Sequence, residues 1–391
     1  MSQETQVDSI SSQSTQFKPF IPEPESESIV YDKKNFYDLT LDQLKEILQK
    51  YGKEKFRAQQ IFSWVYQKGV TDFEQMTNLS KDLRAELPKI LEFRGLEIVS
   101  HLKSIDGTQK FLFRLPASEK YSSQTFESVI IPSKERLTLC VSSEVGCNMA
   151  CKFCFTGKQK LKRRLSAGDI VSQFMLASSK LEGDQRLTNI VFMGMGEPLD
   201  NPDAVFGSIK ILNSPWGMNF SRKRVTVSTS GIVPNIKLIA ESGARLAVSL
   251  NATTDDMRDD IMPINRRYPL SELMQGCREY YQATGDEITF EYVLLKDVND
   301  TLEDAKRIKQ LVKGIPCKIN LIPFNEHPGS EFKRPDRVKV LDFQEELMRM
   351  GLHVLIRRTM GRDIYAACGQ LQSEYSGKPK RLTPDVMTSP V

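Results

Sequence analysis

The sequence predicts an α/β protein whose main domain, residues 137–372, has six parallel strands separated by helices. Two observations support this prediction: strand and helix patterns alternate regularly through that range, and a loop with three cysteines follows the first strand directly. Alternation of this kind implies parallel strands joined by right-handed crossovers. In such folds the chemistry collects at the carboxyl ends of the strands.

Length and composition favour a globular protein, since the chain has 391 residues of which 40% are hydrophobic. No apolar run approaches the roughly 20 residues that a membrane helix needs, so we expect no membrane association. Residues 1–35 are rich in Ser, Gln and Glu and fit neither a signal peptide nor a transit peptide. We expect them to form a disordered tail on a cytoplasmic protein, and we expect a second flexible tail over 373–391.

Residues 36–98 show helical periodicity and predict a small accessory domain. The apolar positions at helical spacing are Leu41, Leu44, Ile47 and Leu48, then Ile61, Trp64 and Val65, then Leu83, Leu87 and Ile90. Its many Lys and Arg residues fit RNA contact and a solvated face equally well. Residues 99–136 then carry strand patterns and predict a short strand-rich adaptor before the main domain.

The main domain is predicted to alternate strands with helices. The expected strands are 137–143, 189–193, 224–228, 245–250, 287–295 and 318–322. The expected helices are 166–181, 202–212, 233–241, 270–283 and 302–313, and a last helix over 337–350 and strand over 353–358 follow. Ser166 and Asp169 occupy capping-box positions at the start of the first of these helices.

Cys147, Cys151 and Cys154 form the C-x₃-C-x₂-C loop after the first strand. Thiolates suit zinc or iron–sulfur clusters, but a structural zinc site normally has a fourth protein ligand. No such ligand lies nearby in the sequence, so the triplet predicts a cluster with one open metal position. The chain has seven cysteines and no secretory signal, which argues for a reducing compartment. We expect Cys277 and Cys317 to be small core residues.

Several polar residues and glycines fall where the predicted strands end. Gly196 and Glu197 lie in a Gly-Met-Gly-Glu-Pro turn after the second strand, where glycine lets the backbone approach a ligand closely. The other candidates after later strands are Ser228, Ser249, Leu250, Asn251 and Asn325.

The cysteine spacing, with Phe153 before the last cysteine, resembles the radical S-adenosylmethionine (SAM) superfamily, which implies a partial (β/α)₆ barrel and a 4Fe-4S cluster that chelates SAM. Further motifs closely resemble the bacterial dual-specificity RNA methyltransferases over residues 36–372. These motifs are Thr138 to Ser143, Gly194 to Leu199, Ser228 to Gly231, Pro323 to Asn325 and Ala366 to Gly369. That family methylates carbon 2 of an adenosine in 23S ribosomal RNA (peptidyl transferase region) and in tRNA (anticodon loop).

The resemblance also implies the roles of individual residues. Cys368 matches the cysteine that takes a methyl group from one SAM and carries it to the RNA, and a second SAM is cleaved at the cluster. Cys140 matches the cysteine that releases the RNA by forming a disulfide with Cys368. Glu127 matches a proton acceptor, although Cys140 remains an alternative for that step. The residues at the strand ends are expected to bind SAM, and a monomer with an external electron donor and a thiol reductant is implied.

The run from Gly157 to Arg164 carries five positive charges in eight residues, and we expect it to contact RNA beside the active site. The chain departs from the family pattern at Ile130, Lys160, Leu161, Arg164 and Asn251. Two alternatives stay open: methylation of carbon 8 of the same adenine, and a zinc-stabilised RNA-binding protein without catalysis.

Overall fold

The computed structural model of the chain describes residues 33–118 and 120–373. The helices are α1 (Leu41–Lys50), α2 (Arg57–Phe62), α3 (Lys81–Ile90), α4 (Ala167–Ser178), α5 (Pro202–Asn213), α6 (Ile236–Ser242), α7 (Asp255–Ile261), α8 (Leu270–Thr284), α9 (Leu302–Leu311) and α10 (Arg337–Arg349). The strands are β1 (Lys34–Asn35), β2 (Leu91–Glu92), β3 (Glu97–Lys103), β4 (Gln109–Leu115), β5 (Gln124–Ser133), β6 (Arg136–Cys140), β7 (Glu144–Val145), β8 (Arg163–Arg164), β9 (Asn189–Phe192), β10 (Val225–Thr229), β11 (Arg245–Ser249), β12 (Ile288–Leu294), β13 (Cys317–Pro323) and β14 (His353–Ile356).

A ten-stranded sheet in the order β14-β13-β12-β11-β10-β9-β6-β5-β4-β3 organises the molecule. The six predicted strands are confirmed as parallel neighbours, from β6 through β9 to β13. The last predicted strand, β14, continues the parallel series beyond β13. Because these strands all run the same way, their carboxyl ends lie along one edge of the sheet.

The strands of the predicted adaptor are not separate from that sheet. β3, β4 and β5 form an antiparallel extension of it, and β5 pairs with β6 so that Val129 lies opposite Cys140. The extension therefore adjoins the first barrel strand on one side, while β14 lies at the other end of the sheet.

Residues 36–98 form the predicted helices α1 to α3, and their apolar positions pack into a core of their own. Thr40 and Gln43 form a capping box at the start of α1, and Ser166 and Asp169 form the predicted one at α4. This core also includes Ala167, Val171 and Ile211, so the helical domain packs against α4 and α5 of the main domain.

Two sets of expectations differ from the structure or fall outside it. Cys277 is fully buried as expected, but Cys317 at the start of β13 is only half-buried, because the first residues of that strand lie at the edge of the core. The expected tails fall almost wholly outside the described residues. Within the part of the chain that the structure describes, no helix is both long and apolar enough to span a bilayer.

Candidate active site

An open cavity of about 970 Å³, its mouth included, lies at the carboxyl ends of the parallel strands. Cys147, Cys151 and Cys154 line it from the loop after β7, and Cys368 lines it from the C-terminal segment. Its position at this end of the strands is the one expected for the catalytic centre of a (β/α) barrel. The cysteine triplet and the candidate methyl carrier therefore line one cavity.

Backbone hydrogen bonds hold the triplet loop on several sides. The amide of Cys147 donates to the carbonyl of Gln159 (3.0 Å), and the amide of Lys152 donates to the carbonyl of Ile261 (3.0 Å). The amide of Phe155 donates to the carbonyl of Gly369 (2.8 Å), so the loop is tied directly to the residue after Cys368. These contacts hold the loop through the protein's own backbone.

The donor set of the triplet fits an iron–sulfur cluster. Burial is the largest influence on all three thiols and raises their pKa, and the mutual proximity of the thiols adds to the effect for Cys147 and Cys151. Buried thiols gathered in one cavity are suited to bind as thiolates to a cationic metal centre. In residues 33–118 and 120–373 no three His, Cys, Asp or Glu side chains are already grouped to hold a metal ion. The fit rests on the shared cavity and the thiol chemistry.

The Gly-Met-Gly-Glu-Pro turn follows β9 and borders the same cavity. Gly196 has φ +96°, and a Cβ at this position would lie 2.5 Å from Cβ of Glu144, so only glycine fits. The Glu197 carboxylate is buried and accepts hydrogen bonds from the amides of Leu199 (3.1 Å) and Ser230 (2.7 Å). Burial nevertheless raises its pKa. Each carboxylate oxygen keeps a second lone pair for a ligand N–H.

The other candidates from the strand ends are brought together with one exception. Ser228, Ser249, Asn251 and Asn325 line the cavity with Gly196 and Glu197. The side chain of Leu250 is fully buried in the main core instead, and its backbone amide donates to the carbonyl of Glu291 (2.9 Å). Any contact of Leu250 with a ligand would therefore come from its backbone.

A buried arginine that the sequence reasoning missed holds two of these strand ends together. The Arg258 side chain donates to the carbonyls of Leu250 (3.0 Å), Ser230 (2.6 Å) and Ser249 (3.0 Å). Burial lowers its pKa to about 10, which leaves the guanidinium charged near neutral pH. Its charge in turn lowers the pKa of the Cys151 thiol, in opposition to the larger effect of burial. Arg258 therefore holds the ends of β10 and β11 together and places its positive charge near the triplet.

The thiol of Cys368 lies close enough to that of Cys140 to affect its pKa. Cys140 ends β6 and is 4% exposed; burial raises its pKa first, and the neighbouring Cys368 thiol raises it further. Burial also raises the pKa of Cys368, whereas the guanidinium of Arg357 lowers it. The fold therefore brings together the two cysteines that the family resemblance identified, and the guanidinium of Arg357 lies near them.

Arg357 and Glu291 are further site residues that the sequence reasoning missed. Glu291 is a buried carboxylate on β12 that lines the cavity and accepts a hydrogen bond from Nδ2 of Asn320 (3.2 Å). Burial opposes the charge on Arg357, but Glu291 and the two thiols together raise its pKa. A glutamate inside an apolar strand pattern is rare and could have marked Glu291. Arg357 follows β14 in an ordinary basic pair, so no sequence signal marks it.

Glu127 lies beside the C-terminal segment rather than in the cavity wall. It forms a buried salt bridge with Lys110 (2.9 Å), and the two side chains are 6% and 8% exposed. Its other carboxylate oxygen accepts a hydrogen bond from the amide of Gln372 (3.0 Å). Burial raises its pKa, an effect that Lys110 and the amide only partly offset. We call Lys110, Glu127 and Gln372 the C-terminal latch.

The basic run follows the triplet loop directly, and its first residue, Gly157, lines the cavity. Its arginines have partners within the chain: Arg163 donates to the carbonyl of Pro116 (3.0 Å), and Arg164 forms a salt bridge with Asp200 (2.7 Å). Arg164 also lies 3.5 Å from the buried Glu144. The run therefore has a structural role at the mouth, and its contact with RNA stays a prediction.

Two family models match the chain. The model described as the ribosomal RNA large subunit methyltransferase N-terminal domain matches residues 34–93, and the radical SAM superfamily model matches residues 141–311. The first match covers the helical domain, and the second begins at the end of β6 and includes the triplet loop. The radical SAM match implies a 4Fe-4S cluster and SAM as cofactors, as the sequence predicted.

Similar proteins match most of the chain. The dual-specificity RNA methyltransferase RlmN of Bdellovibrio bacteriovorus is 58% identical over 355 residues, which are 91% of this chain and 87% of the relative. The RlmN of Geotalea uraniireducens is 48% identical over 87% of this chain and 96% of its own. A solved radical SAM methyltransferase from Sphaerobacter thermophilus superposes with a TM-score of 0.80 at 43% identity, over 87% of this chain and 99% of its own. The predicted fold is thereby confirmed, and the chain belongs to the family of dual-specificity RNA methyltransferases within the radical SAM superfamily.

Proposed function

We propose that this protein methylates carbon 2 of an adenosine in 23S ribosomal RNA and in tRNA, in the peptidyl transferase region and the anticodon loop respectively. The observation that carries the proposal is the position of Cys368, which lines the cavity of the cysteine triplet and has the thiol of Cys140 beside it. The relatives' names, dual-specificity RNA methyltransferases, support action on two RNAs, and the matching ribosomal RNA methyltransferase domain supports ribosomal RNA as one of them. Carbon 2 of adenine is electron-poor and has no acidic proton, so it cannot attack the methyl group of SAM by a polar mechanism.

The residues of the cavity divide into a metal set and a SAM set. Cys147, Cys151 and Cys154 would bind the 4Fe-4S cluster through their thiolates. Glu197 and the backbone of Gly196 would bind SAM from the turn after β9. The other polar side chains at the strand ends would surround it: Ser228, Ser249, Asn251 and Asn325. When bound, the cluster and SAM supply the radical chemistry and the methyl group that carbon 2 requires.

Cys368 carries the methyl group in this proposal. Its thiolate is the nucleophile, and the Arg357 guanidinium lowers the thiol pKa against the effect of burial. Asn325 fixes the loop that presents this thiol, because its Nδ2 donates to the carbonyl of Cys368 (3.1 Å). The methylated side chain then faces both the cavity of the triplet and the RNA.

Cys140 completes the cycle from the neighbouring strand. Its thiolate attacks the sulfur of Cys368, and the bond from that sulfur to the methylene carbon on the adenine breaks. That carbon keeps the electron pair and takes up a proton to become the methyl group, which frees the modified RNA. An external thiol reductant then restores both thiols from the disulfide. Glu127 is proposed as the proton acceptor, with Cys140 as the alternative; burial raises the pKa of both groups, which favours proton uptake by either. The protein is proposed to act as a cytoplasmic monomer with an external electron donor.

Mass spectrometry of nuclease-digested RNA tests the proposal. RNA treated with anaerobically reconstituted protein, SAM and a reductant is expected to contain 2-methyladenosine at one site. The isomer methylated at carbon 8 separates from it by chromatography against synthetic standards. Detection of only the carbon 8 product would replace the proposed position, and detection of no methylated adenosine would overturn the proposal.

A further inference from the structure

Arg258 on α7 is a fully buried cation beside the cysteine triplet. Arginine is almost never fully buried unless its polar groups are paired. Its Nε and Nη2 groups donate to three backbone carbonyls, and its Nη1 donates to Oδ1 of Asn265 (3.1 Å). All of these acceptors are neutral. They satisfy the donors of the guanidinium and leave its positive charge in place.

Helix α7 connects Arg258 to the triplet loop. The amide of Lys152, the residue after Cys151, donates to the carbonyl of Ile261 (3.0 Å), where α7 ends. The amide of Met262 donates to the carbonyl of Arg258 (2.7 Å). Ile261 and Met262 also pack in one apolar cluster with Cys151. One turn of backbone therefore separates Arg258 from the residues that contact the loop.

The guanidinium also contacts the wall of the cavity that the triplet lines. Two of its acceptors are the carbonyls of Ser230 and Ser249, and both residues line this cavity together with Cys151. Among the charged groups around Arg258, the Cys151 thiolate raises its pKa most, in opposition to burial. The positive charge therefore lies on the same side of the cavity as this cysteine.

Carboxylates near Arg258 reduce its effect but do not cancel it. Asn265 stands between Arg258 and two aspartates, since its Nδ2 donates to Oδ1 of Asp255 (2.9 Å) and of Asp259 (2.7 Å). Both aspartates are more exposed than Arg258, so water and salt screen them more strongly. The charge of Arg258 also changes the pKa of Cys151 more than the buried Glu197 carboxylate does, and in the opposite direction.

A buried positive charge favours the reduced form of an iron–sulfur cluster. One-electron reduction adds a negative charge to the cluster, whose reduction potential depends on the net charge, hydrogen bonds and solvent exposure around it. Charges interact more strongly in a desolvated place than in water. Because a guanidinium stays charged at any working pH, the contribution of Arg258 is permanent.

We propose that the charge of Arg258 raises the reduction potential of the cluster that Cys147, Cys151 and Cys154 hold. The electron comes from the external donor and goes to the cluster, and no bond forms or breaks in this step. Arg258 acts through its charge and does not touch the substrate. The proposal rests on the ligation of the cluster by the triplet in the proposed function, but not on the position that is methylated.

A redox titration of anaerobically reconstituted full-length protein tests the proposal. Dithionite reduces the cluster in the absence of SAM and RNA, and electron paramagnetic resonance measures the reduced fraction. In Arg258→Gln the ratio of reduced to oxidised cluster at a fixed potential is expected to fall about tenfold, which is a midpoint lower by about 59 mV for one electron. Arg258→Lys keeps the charge and should keep the midpoint of the wild type. A merely structural role would change both variants alike.

A second pair of variants leaves Arg258 in place. Asp259→Asn removes the negative charge beside Asn265 and should raise the midpoint, by less than the fall in Arg258→Gln because Asp259 is partly exposed. Asp256→Asn is the matched control, since Asp256 is an exposed residue of the same helix, and it should leave the midpoint unchanged.

The outcomes separate the role of Arg258 from the proposed function. Equal midpoints in the wild type, Arg258→Gln and Asp259→Asn would overturn the role of Arg258, even in a protein that methylates RNA. If Arg258→Gln fails to fold or to retain iron, Asp259→Asn decides, and an unchanged midpoint there overturns the role. Midpoints that shift as expected in a protein that leaves RNA unmethylated would support the role of Arg258 and refute the proposed function.

Discussion

The cysteine triplet and the cysteine pair of this protein line or adjoin the same cavity but are assembled in opposite ways. Cys147, Cys151 and Cys154 lie on one short loop that backbone hydrogen bonds hold in place. The pair joins Cys140, at the end of the first barrel strand, to Cys368, in the segment that follows the last strand. The three cysteines of the triplet are neighbours in the sequence, whereas the two of the pair come together only in the folded sheet.

The cysteine pair therefore depends on the whole fold more than the triplet does. The triplet requires one loop, which backbone hydrogen bonds to Gln159, Ile261 and Gly369 hold in place. The pair requires that the C-terminal segment returns across the open side of the barrel and stays there. Contacts far from the cavity can therefore affect the cysteine pair and leave the triplet intact.

The largest expected effect comes from the pair. Cys368→Ala is expected to carry no methyl group and to form no adduct with RNA, because the carrier atom is missing. Cys140→Ala is expected to accept the methyl group and then to stall as a covalent protein–RNA complex linked through Cys368. Both variants should lose turnover, and only the second should show a nuclease-sensitive mass shift on a denaturing gel.

Cys277→Ala is the matched control for the pair, because Cys277 is buried in the same core but lies on α8, away from the cavity. It should methylate RNA and leave no adduct. Free RNA and no shifted band in Cys140→Ala would contradict the role of Cys140 as the resolving group. Normal turnover of Cys140→Ala would remove the disulfide step altogether.

The triplet should respond differently, since each of its cysteines is proposed to bind the cluster. Anaerobically reconstituted wild type is expected to bind about four irons and to be brown, as a 4Fe-4S cluster requires. Cys147→Ala, Cys151→Ala and Cys154→Ala should each lose the chromophore, whereas Cys140→Ala and Cys368→Ala should keep it. Iron analysis and the visible absorption spectrum measure this. Stoichiometric zinc with unchanged RNA methylation in the triplet variants would refute the cluster.

The same contrast explains how much the sequence could predict. The spacing of the triplet and the alternation of strands and helices are local patterns, and the structure confirms the parallel strand order that they predict. The roles proposed for Cys140 and Cys368 required the family resemblance, because nothing local links two distant cysteines. Arg357 and Glu291 stayed unrecognised, since their importance comes from the charges around them in the fold. The side chain of Leu250 is packed into the core although its position at a strand end suggested a ligand.

The extension β3 to β5 could not have been placed by its sequence pattern either. Its alternation predicts strands, but pairing with β6 is a property of the whole sheet. The consequence is functional, because this pairing brings Lys110 and Glu127 to the C-terminal segment. The C-terminal latch therefore connects the extension to the segment that carries Cys368.

The smallest expected effect concerns this latch and separates the pair from the triplet most sharply. Lys110→Met leaves the buried Glu127 carboxylate without its cation, and loss of one partner of a buried ion pair typically costs about 3 to 5 kcal/mol. The same change removes the donation from Nζ of Lys110 to the carbonyl of Tyr365 (3.3 Å), three residues before Cys368. We expect a lower free energy of unfolding in urea and less methylation of Cys368, with the iron content unchanged.

The double variant Lys110→Met, Glu127→Gln distinguishes charge from position. A neutral glutamine can still accept the hydrogen bond from the Gln372 amide and leaves no unpaired charge, so stability should be regained in part. If Glu127 only fixes the C-terminal segment, this variant should also regain methylation of Cys368 and of adenine in the RNA. If Glu127 accepts the proton, Cys368 should be methylated again while the RNA adduct accumulates, because glutamine cannot take up the proton. Loss of iron together with methylation in Lys110→Met would show instead that the latch supports the whole cavity and that the pair and the triplet are not separable.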